Sequence, residues 1–265
     1  MSTIVPLELT GLGKAFPTPS GPFVAVKNVN LRVRRSEFVC ILGHSGCGKS
    51  TVLSIIAGLQ EATEGGVVIN GRQITTPGRD RAVVFQTPSL LPWLTARDNV
   101  LLAVGQKFQK LGRAARHAHA GKYLDLVGGT EAADQLPAEL SLGTQQCISL
   151  ARALALEPDL LLLDEPFSML DSLTRFDLQD TLLRAWERDR KIVVMVTHDI
   201  DEALYLADRL VLMTDGPEAR VGDILSLPFA RPRRRHDVLE HPEYYFYRQK
   251  IVDFLENHAK QSQRN

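Results

Sequence analysis

Apolar positions along the chain follow two rhythms. Val24 to Val33 and Ser36 to Leu42 carry alternating or continuous apolar residues, which predict strands, and the second run ends in a glycine-rich turn. Lys49 to Leu59 then reads as helix. Two further short apolar runs, Gly66 to Ile69 and Ala82 to Phe85, bracket the turn-forming dipeptides Asn70-Gly71 and Pro77-Gly78 and predict more strands. From Leu94 to about Leu126 the pattern turns helical, rich in alanine and charge and poor in β-branched residues. Leu160 to Leu163 returns to a buried-strand run. A helix follows at about Leu173 to Arg188, then a strand at Ile192 to Thr197, a helix at about Ile200 to Ala207 and a strand at Arg209 to Met213. Strands alternating with helices predict an α/β fold with a mostly parallel sheet. The expected organisation is one discontinuous core, residues 1–93 and 158–225, divided by a helical insert, 94–157. Pro228, Pro232, Pro242, scattered arginines and an aromatic cluster mark residues 226–265 as an appendage.

Composition narrows the class. Of 265 residues, 44% are hydrophobic, enough for a sizeable core. Lys plus Arg equals Asp plus Glu, 31 against 31, so overall charge asks for neither nucleic acid nor an anionic membrane as main partner. The apolar runs fall far short of the ~20 residues that span a bilayer, so any membrane role is expected through other proteins. The opening MSTIVPLELTGLGKAF lacks the basic start and long apolar stretch of a secretory signal. Three cysteines, Cys40, Cys47 and Cys147, give an odd count without paired spacing, which suits a reducing compartment and predicts neither disulfide nor zinc. The expected location is cytosolic.

Two motifs carry chemistry. Gly43-His44-Ser45-Gly46-Cys47-Gly48-Lys49-Ser50, followed by Thr51, satisfies G-x-x-x-x-G-K-[ST] between a predicted strand and a predicted helix. Glycines there let backbone N–H groups and the helix N-terminus face phosphate, while Lys49 reaches the β/γ oxygens and the Ser50 hydroxyl ligates Mg²⁺. The run Leu160-Leu161-Leu162-Leu163 ends abruptly in Asp164 and Glu165, and two carboxylates closing a buried strand need cations or water. Asp164 is expected to serve Mg²⁺ through water. Glu165, aimed the other way by strand alternation, is expected to be the general base for an attacking water.

With Leu140-Ser141-Leu142-Gly143-Thr144-Gln145-Gln146 and the helix Ile148 to Leu156, these motifs resemble the nucleotide-binding subunits of ABC transporters over nearly the whole chain. The resemblance implies a P-loop NTPase fold, with a RecA-like core, an antiparallel β region and an inserted α-helical subdomain. It implies ATP and Mg²⁺ as cofactors, Gln86 as a glutamine loop completing the Mg²⁺ shell, Ser168-Met169-Leu170-Asp171 as the D-loop, and His198 as the histidine that meets the γ-phosphate. Phe16 stands where the family stacks an aromatic ring on adenine, with a core phenylalanine as the alternative. Ser141 and Gly143 would reach the nucleotide of a second ATPase protomer, identical or related. Transmembrane permease subunits and, indirectly, a periplasmic or lipid-anchored solute-binding protein complete the implied partners, and the chain would be peripheral on the cytoplasmic face of the plasma membrane.

The sequence departs from the family at Leu142, where a glycine is usual, and at Cys147, where an arginine is common. Leucine takes positive φ less readily than glycine and adds bulk beside a phosphate, which predicts slower turnover or weaker closure of the ATPase pair. Phe167 to Arg175, Met213-Thr214-Asp215-Gly216-Pro217 and His241 to Tyr245 resemble the nitrate, sulfonate and bicarbonate importer branch, nitrate members most. Gln86 to Leu94 would form a groove for a permease helix, or else plain subdomain core. Other expectations are a solvated cluster rather than a nucleic-acid contact for Arg231, Arg233, Arg234 and Arg235, core packing for Tyr244, Tyr245, Phe246 and Tyr247, no metal pair at His117 and His119, and at Cys47 either thiol modification that blocks ATP or simply a small residue. Rival readings are a soluble ABC ATPase acting on nucleic acid or ribosomes, a small-molecule kinase, and a weakly hydrolysing regulatory subunit.

Overall fold

A computed structural model describes residues 6–262, with side chains to residue 258. In chain order the elements are β1 (Leu7–Thr18), β2 (Gly21–Val33), β3 (Phe38–Leu42), α1 (Lys49–Ala57), β4 (Glu64–Ile69), β5 (Arg72–Gln73), β6 (Arg81–Val84), α2 (Ala96–Lys107), α3 (Arg113–Leu126) and α4 (Leu142–Leu154). They continue with β7 (Leu160–Asp164), α5 (Ser172–Asp189), β8 (Ile192–Thr197), α6 (Ile200–Leu206), β9 (Arg209–Met213), β10 (Val221–Ser226), α7 (Arg235–Leu239) and α8 (Tyr244–Ser262). The chain divides into two compact units, one made of the residues up to Gly78 and from Ile192 onward, the other of Arg79–Lys191.

In the first unit, β2-β1-β4-β5 form an antiparallel sheet, while β10-β9-β3-β8 lie side by side with β3 parallel to both β8 and β9. All five residues of β3 and all six of β8 are buried, and both strands are apolar except for Thr197 at the end of β8, as a sheet covered on both faces demands. Toward its end β2 alternates instead, with Val29, Leu31 and Val33 buried and Asn30 and Arg32 exposed. Strand β1 lies in a stretch with no clean alternation: its register with β2 shifts between Leu9 and Leu12, so buried Leu7 and Leu9 and buried Leu12 fall out of phase.

The arginine-rich segment is not a solvated cluster. Arg233 is buried and donates to the carbonyls of Tyr205 (3.0 Å), Ala207 and Phe229, and Arg231 donates to the Leu206 carbonyl. Both pair with Asp208 Oδ1, at 3.0 and 3.3 Å, so they close the C-terminal end of α6, where free carbonyls favour cations. Asp208 Oδ2 also accepts from the backbone N–H of Phe38, tying the start of β3 to the same hub. Only Arg234 is exposed; Arg235 stacks its guanidinium 4.1 Å from the centroid of the Tyr205 ring. The aromatic cluster divides as well. Tyr244 is buried and donates to Asp201 Oδ1 at 2.8 Å, whereas Tyr245 and Phe246 are 74% and 62% exposed.

In the second unit β6 and β7 pair in parallel and α2, α3 and α4 pack on one another. The long helical stretch expected over 94–126 is two helices, because the chain leaves α2 at Phe108 and restarts at Gly112. Helix α2 begins on a side-chain cap: Thr95 Oγ1 accepts from the Asp98 N–H at 3.1 Å. His119 lies between the rings of Phe108 and Tyr123 at centroid distances of 4.7 and 5.2 Å, with Nε2 3.0 Å from the Ala155 carbonyl, so its ring serves packing. Among the described residues no helix is long and apolar enough to cross a membrane.

Candidate nucleotide site

The glycine-rich loop runs from the end of β3 to the start of α1. Gly48 caps α1 with φ +88, a left-handed backbone, and an added methyl group would lie 2.7 Å from Val26 Cγ2, so glycine is required there on two counts. No side chain caps α1 and its first turn has no acidic residue, which leaves its N-terminal end suited to an anion. Lys49 is 4% exposed, and its ammonium donates to the carbonyls of Gly43 and His44, each at 2.8 Å. The charge is thus held in a cradle of loop carbonyls beside the place a phosphate would take. Ser45, Gly46 and Ser50 are exposed around it, and Thr51 is half-buried.

Cys47 is buried, and that burial raises its thiol pKa. A thiol both enclosed and protonated is a poor target for modification, which leaves Cys47 as a small residue packed within the loop. Phe16 is half-buried on β1 and paired with exposed Phe23, with the Lys14 ammonium 5.2 Å from its ring centroid; it is not a core residue. His198 is exposed directly after β8. Thr197 Oγ1 accepts from the Asp199 N–H at 3.0 Å and the Asp199 carboxylate caps α6 through the Glu202 N–H at 3.0 Å, fixing the backbone on which His198 stands.

The second unit carries the carboxylates. Strand β7 ends at Asp164, and Glu165 lies beyond it with φ +45. Its direction therefore comes from a left-handed residue after the strand, not from strand alternation. Such backbone is uncommon for a non-glycine residue and persists only where its surroundings fix it. Here Ser168 does so, its N–H and Oγ both donating to the Glu165 carbonyl at 3.2 and 2.9 Å. The Gln86 side-chain amide in turn donates to Ser168 Oγ at 3.2 Å, so Gln86 and the turn that holds Glu165 are linked by one hydroxyl.

Ser141 caps α4, its Oγ accepting from the Thr144 N–H at 3.1 Å. Asp171 caps α5, accepting from the N–H groups of Leu173 and Thr174 at 3.1 Å, and hydrogen bonding from the Thr174 side chain first, then from these N–H groups, holds its carboxyl below the usual range. Leu142 is the first residue of α4, outside the left-handed region, so the strain expected of a leucine there does not arise. The glycine that matters is the next one. A methyl group on Gly143 would lie 2.5 Å from Thr174 Cγ2, so α4 and α5 approach through that missing side chain.

The stretch around Gln86, from Phe85 to Thr95, is held by three polar side chains. Buried Gln146 donates to the Phe85 carbonyl at 3.1 Å and Arg152 to the Ser89 carbonyl at 2.9 Å. Asn99, fully buried, accepts from the Leu91 N–H at 2.8 Å and donates to the carbonyls of Leu91, Leu94 and Thr95. Its only signal in sequence is one amide among apolar neighbours. The turn so fixed presents Trp93 at 71% exposure, which rules out subdomain core for that ring.

A mixed parallel and antiparallel α/β fold, a glycine loop between strand and helix, and a capped Ser141–Gly143 helix start define the class. The chain belongs to the ABC transporter family, whose model matches residues 26–168. It is an ATP-hydrolysing cassette. It is 51% identical over 94% of its length to 91% of the nitrate import ATP-binding protein NrtD of Synechococcus elongatus. It is 49% identical over 95% of its length to 89% of the bicarbonate transport ATP-binding protein CmpD of a Synechocystis species. Among solved structures it is similar to a dimeric ATP-binding cassette in a post-hydrolysis state bound to ADP and Pi, with TM-score 0.77 and 35% identity, covering 84% of this chain and all of the other.

Proposed function

We propose that this chain energises import of a small oxyanion, nitrate first, with nitrite, bicarbonate or sulfonate as the other members of the class. The observation that carries the proposal is its 51% identity, along nearly the whole of both chains, to a nitrate import ATP-binding protein. No residue of a cassette meets the transported solute, so the choice of anion rests on that likeness and not on chemistry of the site.

In the proposed cycle the α1 end and Lys49 take the triphosphate. The Lys49 ammonium exchanges its carbonyl cradle for phosphate oxygens. Ser50, Gln86 and Asp164 offer hydroxyl, amide and carboxylate oxygens, the hard donor set that suits Mg²⁺, and the ion would neutralise charge between the β- and γ-phosphates. Glu165 accepts the proton of the attacking water, His198 meets the γ-phosphate and Phe16 stacks on adenine. Ser141, Gly143 and Asp171 serve a site completed by a second protomer, identical or related. Cassettes of this family pair and work with membrane permeases; here Trp93 and the turn beneath it are the proposed permease contact. The chain then acts as a peripheral protein on the cytoplasmic face. Residues 94–157 form the signature-bearing subdomain and 226–265 an appendage.

The test is complementation. A bacterium deprived of its nitrate-import ATPase regains nitrate uptake with this chain and not with Glu165→Gln. Restored bicarbonate or sulfonate uptake without nitrate uptake would reassign the anion.

A further inference from the structure

His44 occupies the second position of the glycine loop, and its side chain has a partner that motif reading did not predict. His44 Nδ1 lies 2.7 Å from Asp215 Oδ1, with the two side chains 42% and 15% exposed. A carboxylate only accepts, so Nδ1 carries the shared hydrogen, and Nε2 is the ring nitrogen left for other partners.

Asp215 stands on a braced platform. The turn after β9 is closed by the Thr214 N–H donating to the Arg220 carbonyl at 2.9 Å and by Thr214 Oγ1 accepting from the Arg220 N–H at 3.0 Å. Its far side is joined to β2 through Glu218 and Ala219 N–H groups, which donate to the carbonyls of Val24 and Ala25 at 2.8 and 3.1 Å, and through a 2.8 Å Lys27–Glu218 ion pair. The glycine loop lies along this turn. A methyl group at Gly43 would meet the Met213 carbonyl at 3.1 Å, and one at Gly216 would lie 3.8 Å from the Gly46 carbonyl. Asp215 also acts electrostatically on Cys47 inside the loop. Two charged groups meet His44: Asp215 on the turn, and Lys49, whose ammonium donates to the His44 carbonyl.

We propose that Asp215 is a positioning residue for nucleotide binding. It anchors the loop through the His44 ring and fixes that ring with Nε2 free, so that the loop keeps its phosphate-binding shape before ATP arrives. A loop held in its bound conformation spends less of the binding free energy on ordering. The inference rests on the reading of Gly43–Ser50 as the phosphate site.

The experiment is titration of the full chain with a fluorescent ATP analogue, alongside steady-state ATPase and thermal unfolding, for Asp215→Ala, His44→Ala and the double variant. Each single variant is expected to bind nucleotide about five- to tenfold more weakly, and the double variant no more weakly than either single, while Asp215→Ala keeps kcat at saturating ATP within about twofold of the parent. Asp215→Glu, which can still accept from Nδ1, recovers most of the affinity. Unchanged affinity in either single variant, additive losses in the double variant, or a loss that only follows a fall in unfolding midpoint overturns the proposal. If an alanine variant does not fold, Asp215→Leu and His44→Phe, which fill the space without a hydrogen-bonding group, carry the same comparison. Lys49→Ala in the same titration separates the two levels: if it binds as tightly as the parent, the phosphate-loop reading itself fails, whatever Asp215 does.

Discussion

The glycine loop and the Ser141–Asp171 region differ in how they are completed. Around the loop the key charge is buried: Lys49 sits among carbonyls, and Gly48 is set by direct contact with β2. In the second unit Ser141, Leu142 and Asp171 are exposed, and their polar atoms are satisfied locally by helix caps. The first region is a buried charge held in a loop whose shape is set by its neighbours. The second is a scaffold of capped helix starts with an exposed face. What they share is glycine placed where a neighbour leaves no room, so each region is shaped by its own unit before any ligand binds.

The largest expected effect is at the loop. Lys49→Ala removes the one buried cation there and should weaken nucleotide binding by about a hundredfold or more, measured by equilibrium titration. A loss of less than about tenfold would mean that the backbone alone does the work.

Next comes Gly143→Ala, whose methyl group must push α4 from α5. A stability loss of about 1–3 kcal/mol is expected in chemical denaturation, because the contact is to a β-branched side chain with little freedom to yield. Adding Thr174→Ser removes the Cγ2 atom that Gly143→Ala would strike and should restore most of the loss. No restoration would place the cost elsewhere.

Cysteines compare the regions directly. Burial raises the pKa of both thiols, Cys147 to about 11. At pH 8 only about a thousandth of Cys147 is thiolate, so its alkylation should be slow and rise about tenfold per pH unit toward pH 11. Cys47 should also resist alkylation in the folded chain. Fast labelling of Cys47 at pH 7 would mean that the loop opens.

The smallest effect is at Leu142. As the first helical residue it needs no glycine backbone, so Leu142→Gly should change ATPase turnover by no more than about twofold and cost under about 1 kcal/mol of stability. A large acceleration would restore the idea that leucine hinders the site.

Much of this was legible because periodicity and burial agree. Ile192 to Thr197 and Arg209 to Met213 are strands at the bounds the apolar pattern gives, since strands covered on both faces have no polar interruption. Strand β1 was hidden by its register shifts, and β10 by alternate exposure across Val221–Ser226 with a glycine inside. The loop motif declares its own residues. Its support Asp215 does not, nor do Gln146 and Arg152 beneath the turn at Phe85 and Ser89, because each acts on a partner more than sixty residues away and no local pattern encodes that partner. Arg231 and Arg233 misled for the same reason: a run of arginines looks solvated until the helix end it closes is seen.

The central claim is that this chain hydrolyses ATP with Glu165 as its base and closes into a pair around the nucleotide. Size-exclusion chromatography of the parent and Glu165→Gln with and without Mg-ATP, beside steady-state ATPase, tests it most directly. The account predicts turnover in the parent, at least a hundredfold less in Glu165→Gln, and an ATP-dependent dimer that the variant retains. A Glu165→Gln variant that turns over ATP like the parent, and runs as a monomer with ATP bound, would contradict it.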